Sequence, residues 1–164
     1  MPIHCHLSPG DCVFEITSCL WQGPFASHQR LPALQAAGIT HLLNVGESPN
    51  VLTIAEGPFV EIAWHPIADL ERIPDAEALK CLDELHRMVT LEHSRVYVHC
   101  VAGWNRSATV VWLYLVACGM APDVAKELIG RRNIDAVPAH PRLVDEALVT
   151  AVQRHGKRHA YRLH

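Results

Sequence analysis

Apolar residues in this chain fall into short runs of two kinds, and the kinds alternate. Runs around Val13–Ile16 and Ser18–Gln22 predict strands, the second broken by Gly23-Pro24. Leu31, Leu34 and Ala37 recur at helical spacing, and Gly38 is a stop signal. The β-rich run Ile39-Thr40-His41-Leu42-Leu43-Asn44-Val45, ended by Gly46, reads as an inner parallel strand. Phe59 to Ile67 reads as a further strand, with Pro66 marking an edge or an exit. Asp75 then opens a helix with a buried stripe of Leu79, Leu82, Leu85 and Val89, and Asp83 and Arg87 are spaced to pair on its wet face. Arg95 to His99 reads as the central strand. The segment from Arg106 to Cys118 is apolar nearly all round, so it predicts the most buried helix, ended by Gly119. Pro122 and Pro141 suit the first turns of the last two helices. Strands alternating with helices predict an α/β fold, a central and mostly parallel sheet flanked by helices.

Composition narrows the class. A length of 164 residues favours one domain, expected over residues 1–154, with a basic and frayed tail over residues 155–164. Hydrophobic residues make up 49% and charged residues 19%, which excludes a disordered chain. A formal net charge of −3 gives no ground for broad charge-driven binding to nucleic acid or membrane. No apolar run is long enough to span a bilayer, and Met1-Pro2-Ile3-His4-Cys5-His6 does not have the pattern of a signal peptide. The six cysteines are not spaced as a disulfide framework, so a reducing, cytoplasmic setting is expected. His4, Cys5, His6, Cys12 and Cys19 match no standard zinc spacing, and neither metal nor cofactor is expected.

The candidate chemistry lies in His99-Cys100-Val101-Ala102-Gly103-Trp104-Asn105-Arg106-Ser107, between the central strand and the buried helix. A tight loop there aims successive backbone N–H groups and a helix N-terminus at one point, which suits a phosphate or another oxyanion. Residues Val101 to Arg106 would form the cradle, Arg106 adding a planar fork for two oxygens. The same positive field favours the thiolate form of Cys100, and a thiolate inside a phosphate cradle points to displacement at phosphorus. Gly103 permits a positive φ or close approach to the ligand. Ser107 can hold the sulfur or cap the helix, and His99 can orient the loop. Trp104 can pack or can form a platform beside the substrate. A leaving group needs an acid, and Asp69 is the candidate, in the proline-bracketed segment Pro66 to Pro74, with Glu71 as the fallback.

These residues resemble the His-Cys-x5-Arg-Ser/Thr signature of the cysteine-dependent protein phosphatases. Leu20 to Pro24, Leu31 to Gly38, Ile39 to Val45 and the interval from Asp69 to Cys100 are similar to the compact dual-specificity branch, over roughly residues 13 to 150. The resemblance implies a phosphocysteine intermediate at Cys100, Asp69 as acid and then base, no metal, and Asn44 as a brace of the phosphate loop. It implies phosphorylated protein or peptide substrates. No aromatic loop that would deepen the pocket is seen near residues 20–50, so phosphoserine and phosphothreonine are expected beside phosphotyrosine. Trp104 and Asn105 depart from the small residues many such loops carry. The Gly-x-Asn-Arg pattern is similar to RNA 5′-triphosphatase relatives, the one route by which nucleic acid enters the expectations. Phosphoinositide-directed relatives usually carry a loop Lys, absent here. A phosphate-binding module without turnover is the remaining alternative, against which stands the presence of nucleophile, Arg, hydroxyl and acid together.

Overall fold

The computed structural model describes residues 12–164. The start of the expected domain and the His4, Cys5 and His6 positions lie outside the described residues. In chain order the elements are β1 (Phe14–Thr17), β2 (Leu20–Gly23), α1 (Leu31–Ala36), β3 (His41–Asn44), β4 (Glu61–Trp64), α2 (Asp75–Val89), β5 (Val96–His99), α3 (Arg106–Ala117), α4 (Pro122–Arg132) and α5 (Glu146–Arg158), with a single 3-10 turn at Ile54–Glu56. The sheet runs in the order β1-β2-β5-β3-β4. Among the described residues only the β1–β2 pair is antiparallel; β2, β5, β3 and β4 run parallel.

Alternation along each strand feeds two cores. Leu20, Leu43, Val96 and Val98 point into a large cluster with the apolar faces of α2, α3 and α5. Trp21, Leu42 and Tyr97 point the other way, into a smaller cluster with Leu34, Ile39, Leu52 and Phe59. Every residue of α3 is buried, as its all-round apolar sequence predicts. The α5 helix packs on α3 so closely that a Cβ on Gly156 would lie 1.9 Å from the Ala117 carbonyl oxygen.

The register positions the site. Gly23 and Asn44 lie on either side of His99, and Trp64 lies beside Asn44. The chain therefore leaves β2, β3, β4 and β5 at one edge of the sheet, where open α/β sheets bind ligands.

Several sequence expectations are corrected. The strand expected from Phe59 to Ile67 is shorter, because His65 and Ile67 hydrogen-bond to Asn44 and Val45 outside regular strand geometry. Leu79 is only half-buried. The covered face of α2 is broader and consists of Ala78, Cys81, Leu82, Leu85, Met88 and Val89. Arg87 does not pair with Asp83 but with Glu84 and Glu61. Asp83 instead accepts hydrogen bonds from His155 Nε2 at 2.6 Å and the Tyr161 hydroxyl at 2.5 Å. Pro141 does not start the last helix. That helix begins at Glu146, where the Asp145 carboxylate caps it by accepting the Leu148 N–H at 2.9 Å. The segment expected to fray continues α5 to Arg158, and Tyr161 is buried beside Asp83.

Candidate active site

The loop from Cys100 to Asn105 joins the end of β5 to α3. Gly103 has φ +76°, and a Cβ there would lie 2.5 Å from Gly23 C and Pro24 N. This is the close approach for which only glycine has room. Three loop carbonyls are tied from outside. Val101 O accepts the Phe25 N–H at 3.0 Å and Trp104 O the Val137 N–H at 2.7 Å. Gly103 O accepts from Gln22 Nε2 at 2.7 Å and Asn133 Nδ2 at 3.3 Å. With the carbonyls held, none of the N–H groups of Val101 to Asn105 has an acceptor among the described residues. A run of uncommitted amides at a helix start is an anion nest.

Cys100 is buried, with Sγ 3.2 Å from Ser107 Oγ. Ser107 lies inside α3 and is not its cap. The capping position is Asn105, which makes no side-chain capping bond. Arg106 is 7% exposed. A guanidinium carries five N–H donors, yet the only hydrogen bond that the Arg106 guanidinium makes among the described residues runs from Nη1 to Ile67 O at 3.3 Å. Two carboxylates approach it, Glu47 Oε1 at 3.6 Å from Nη1 and Asp69 Oδ1 at 3.9 Å from Nε. The remaining donors of this nearly buried cation are available to an anion in the nest.

Asp69 sits in the segment after β4, beside Leu70, which has φ +59°. Its carboxylate accepts the Leu70 N–H at 3.0 Å, and its own N–H donates to Glu47 Oε1 at 3.3 Å. Arg72 ties the far end of this segment through a fork onto Asp145 and a 2.6 Å contact with Asp75. Glu71 is exposed. Asn44 is fully buried, but its side chain bonds the loop after β3. It accepts from Gly46 N at 2.9 Å and donates to Ser48 O at 2.7 Å and Asn50 Oδ1 at 3.1 Å. It therefore braces that neighbouring loop, not the phosphate loop directly. Trp104 and Val101 present side chains about half exposed beside the nest.

His99 is fully buried between the Tyr97 and Phe25 rings, and its Nδ1 accepts the Ala26 N–H at 3.3 Å. Burial pushes its imidazole down to about 3. The ring is neutral in the folded chain, whereas an unfolded chain takes up a proton near its ordinary value of 6.5. Stability therefore falls as pH drops below that value, by about 1.4 kcal/mol per pH unit from this residue, until the folded value is reached. Thermal melting followed against pH checks this, and His99→Gln should flatten the acid limb.

Three further residues belong to the site: Gln22, Glu47 and Asn133. Gln22 carried a signal, a primary amide inside an apolar inner strand. Glu47 and Asn133 lie in segments that sequence pattern reads only as loop.

A mostly parallel sheet whose central strand ends in a cysteine-led loop of uncommitted amides, with a buried guanidinium and a carboxylate beside it, defines an α/β domain suited to an anionic ligand. The chain belongs to the dual specificity phosphatase catalytic-domain family, whose model matches residues 20–129. Human dual specificity protein phosphatase 14 is 35% identical over 115 residues, covering 67% of this chain and 55% of that protein. Human dual specificity protein phosphatase 15 is 32% identical over 98 residues, covering 59% of this chain and 32% of that protein. The chain thus spans about half or less of the length of these curated relatives. Among solved structures, that of DUSP15 aligns with a TM-score of 0.67 at 24% identity over 90% of this chain and 88% of that one. That of PTPMT1 in complex with PI(5)P aligns with a TM-score of 0.70 at 19% identity over 91% and 99%. Identities this low establish the shared fold. Among the described residues no helix is long and apolar enough to cross a membrane.

Proposed function

We propose that this protein is a cysteine-dependent phosphatase that hydrolyses phosphotyrosine and phosphoserine or phosphothreonine monoesters on proteins through a phosphocysteine intermediate. The observation that carries this reading is the convergence of Cys100, the free amides of Val101 to Asn105, buried Arg106 and the Asp69 carboxylate at one sheet edge.

In the first step the Cys100 thiolate attacks phosphorus and the phosphorus–oxygen bond to the leaving group breaks. Protonated Asp69 gives its proton to that oxygen, while Arg106 and the amides hold the non-bridging oxygens. In the second step the Asp69 carboxylate takes a proton from water as the water oxygen attacks phosphorus. The sulfur–phosphorus bond breaks, and its electron pair returns to Cys100 beside the Ser107 hydroxyl. No metal or cofactor enters the scheme. A reducing cytoplasm suits it, because oxidation of Cys100 would stop the first step.

The surroundings of the nest favour a single phosphate on a protein side chain. Val101, Trp104 and Val137 offer apolar surface, and Glu47 and Asp69 stand close to the guanidinium. A second phosphate group would meet those carboxylates, which weighs against RNA 5′-triphosphate ends and polyphosphorylated lipids.

A turnover panel of phosphopeptides, triphosphorylated RNA and inositol phosphates tests the reading. Phosphopeptides should be the preferred substrates, and preference for either other class would replace it. Phosphopeptide binding without turnover would reduce the domain to a phosphate-binding module. Asp69→Asn should slow substrates with poor alkoxide leaving groups by about 10²-fold and activated aryl phosphates far less. Equal loss on both moves the acid role to Glu71 or elsewhere.

A further inference from the structure

Gln22 lies in an inner strand with no exposed surface. Both hydrogens of its amide are committed. Nε2 donates to Gly103 O at 2.7 Å and to Ser107 Oγ at 2.8 Å. Its Oε1 accepts from Asn133 Nδ2 at 3.0 Å. Asn133 is 1% exposed; its Nδ2 also reaches Gly103 O at 3.3 Å, and its Oδ1 accepts the Asp135 N–H at 3.3 Å.

These contacts fix which way each amide points. Turning the Gln22 amide over would set Oε1 against the Gly103 carbonyl, two acceptors face to face. Turning Asn133 over would set its oxygen against both the Gln22 and Gly103 oxygens, and its NH₂ against the Asp135 N–H. The network therefore has a direction. It runs from Asn133 to Gln22 to Ser107, and Ser107 Oγ receives a hydrogen from Gln22.

A hydroxyl that accepts one bond still has one hydrogen to give. Two acceptors are in reach, Gly23 O at 3.4 Å and Cys100 Sγ at 3.2 Å. An ionised sulfur is the stronger acceptor and also the nearer one.

We propose that Gln22 and Asn133 are a positioning pair that turns the Ser107 hydroxyl hydrogen onto the sulfur of Cys100. Neither amide touches the reacting phosphate. The pair acts through Ser107, favouring the charged sulfur both when it attacks and when it leaves phosphorus. The inference rests on the reading of Cys100 as the nucleophile. It adds to that reading two residues far apart in sequence, one on β2 and one after α4.

The test is Gln22→Leu in the full chain, with Gln22→Met as a second variant of matching length. The readout is the pH profile of iodoacetamide alkylation at Cys100, followed by peptide mass spectrometry so that the other thiols do not interfere. Loss of the relay should move the midpoint up by about one pH unit, so that alkylation at acidic pH slows about tenfold. The kcat should fall about tenfold while KM stays within about threefold, because the cradle keeps its amides and Arg106. In a Ser107→Ala background the same Gln22 substitutions should leave the midpoint unchanged, since there is no hydroxyl left to aim.

An unmoved midpoint in the folded variants overturns the inference, even where the melting temperature drops. So does a shift of full size in the Ser107→Ala background. Absence of wild-type turnover, or a Cys100→Ser variant that retains it, overturns instead the nucleophile reading on which the pair depends.

Discussion

Cys100→Ser should abolish turnover, with a loss of at least about 10⁴-fold in kcat on phosphopeptides, while inorganic phosphate still binds. The expectation follows from separating the nucleophile from the cradle. The amides of Val101 to Asn105 and the Arg106 guanidinium are set by backbone bonds from Phe25 and Val137 and by side chains other than Cys100. None of these is altered by exchanging sulfur for oxygen. What changes is the readiness of the side chain to carry negative charge. A hydroxyl at this position stays protonated at neutral pH. His99, its chain neighbour, uses Nδ1 to accept from Ala26 and is held neutral by burial on the strand side. Isothermal titration with phosphate beside a steady-state assay distinguishes the two functions. A variant that keeps turnover would rule out the covalent scheme, and a variant that loses phosphate binding as well would show that the cradle depends on the sulfur.

Gly103→Ala should be the most damaging change of a single methyl group in the loop. The residue sits at φ +76°, where an L side chain costs about 1 kcal/mol. The larger penalty is contact. The new Cβ would lie 2.5 Å from Gly23 C and Pro24 N, which are backbone atoms at the end of β2 and cannot turn aside as a flexible side chain would. The loop must move away from β2. That movement pulls Gly103 O from Gln22 and Asn133, and it shifts the uncommitted amides of the loop. Displacement of a binding group by about 1 Å costs on the order of 10²-fold in rate. A kcat/KM reduced by about that factor or more, with a lowered melting temperature, is the expected result. Wild-type activity would mean that the loop tolerates a geometry different from the one described above.

The sequence made the order of layers legible because its apolar runs are short and clean. β5 and α3 stand out for one reason: each is buried on every side, so neither needs to share its pattern with solvent. The loop between them is legible for the same reason, as an interruption between two buried elements. Elements whose ends are set by tertiary contacts were read less well. α5 begins at Glu146 and not near Pro141, because Asp145 caps it while also receiving Arg72 from the segment after β4. The basic stretch at the end of α5 has the sequence pattern of a solvated tail. Tyr161 and His155 both find Asp83, on a helix about seventy residues earlier in the chain, and no local pattern carries that information. The same holds within the site. Cys100, Arg106 and Ser107 are close in sequence and their spacing can be read. Gln22 and Asn133 come from opposite ends of the chain, and only the sheet register and the packing of α4 bring them to Gly103. Asn44 illustrates the intermediate case: its position at the end of β3 was correct, but its bonds go to the loop that follows β3.

The one-ended layout of the parallel strands leaves the opposite end of the sheet free for practical use. Each strand is four residues long, so the two rims are separated by about 13 Å of backbone. The turn before β5 lies at that opposite rim, and His93 there holds its side chain 90% exposed at a left-handed φ of +61°. A dye, a surface tether or a crosslinker attached at this turn would stand clear of the cradle, and the molecule would be oriented with its mouth toward bulk solvent.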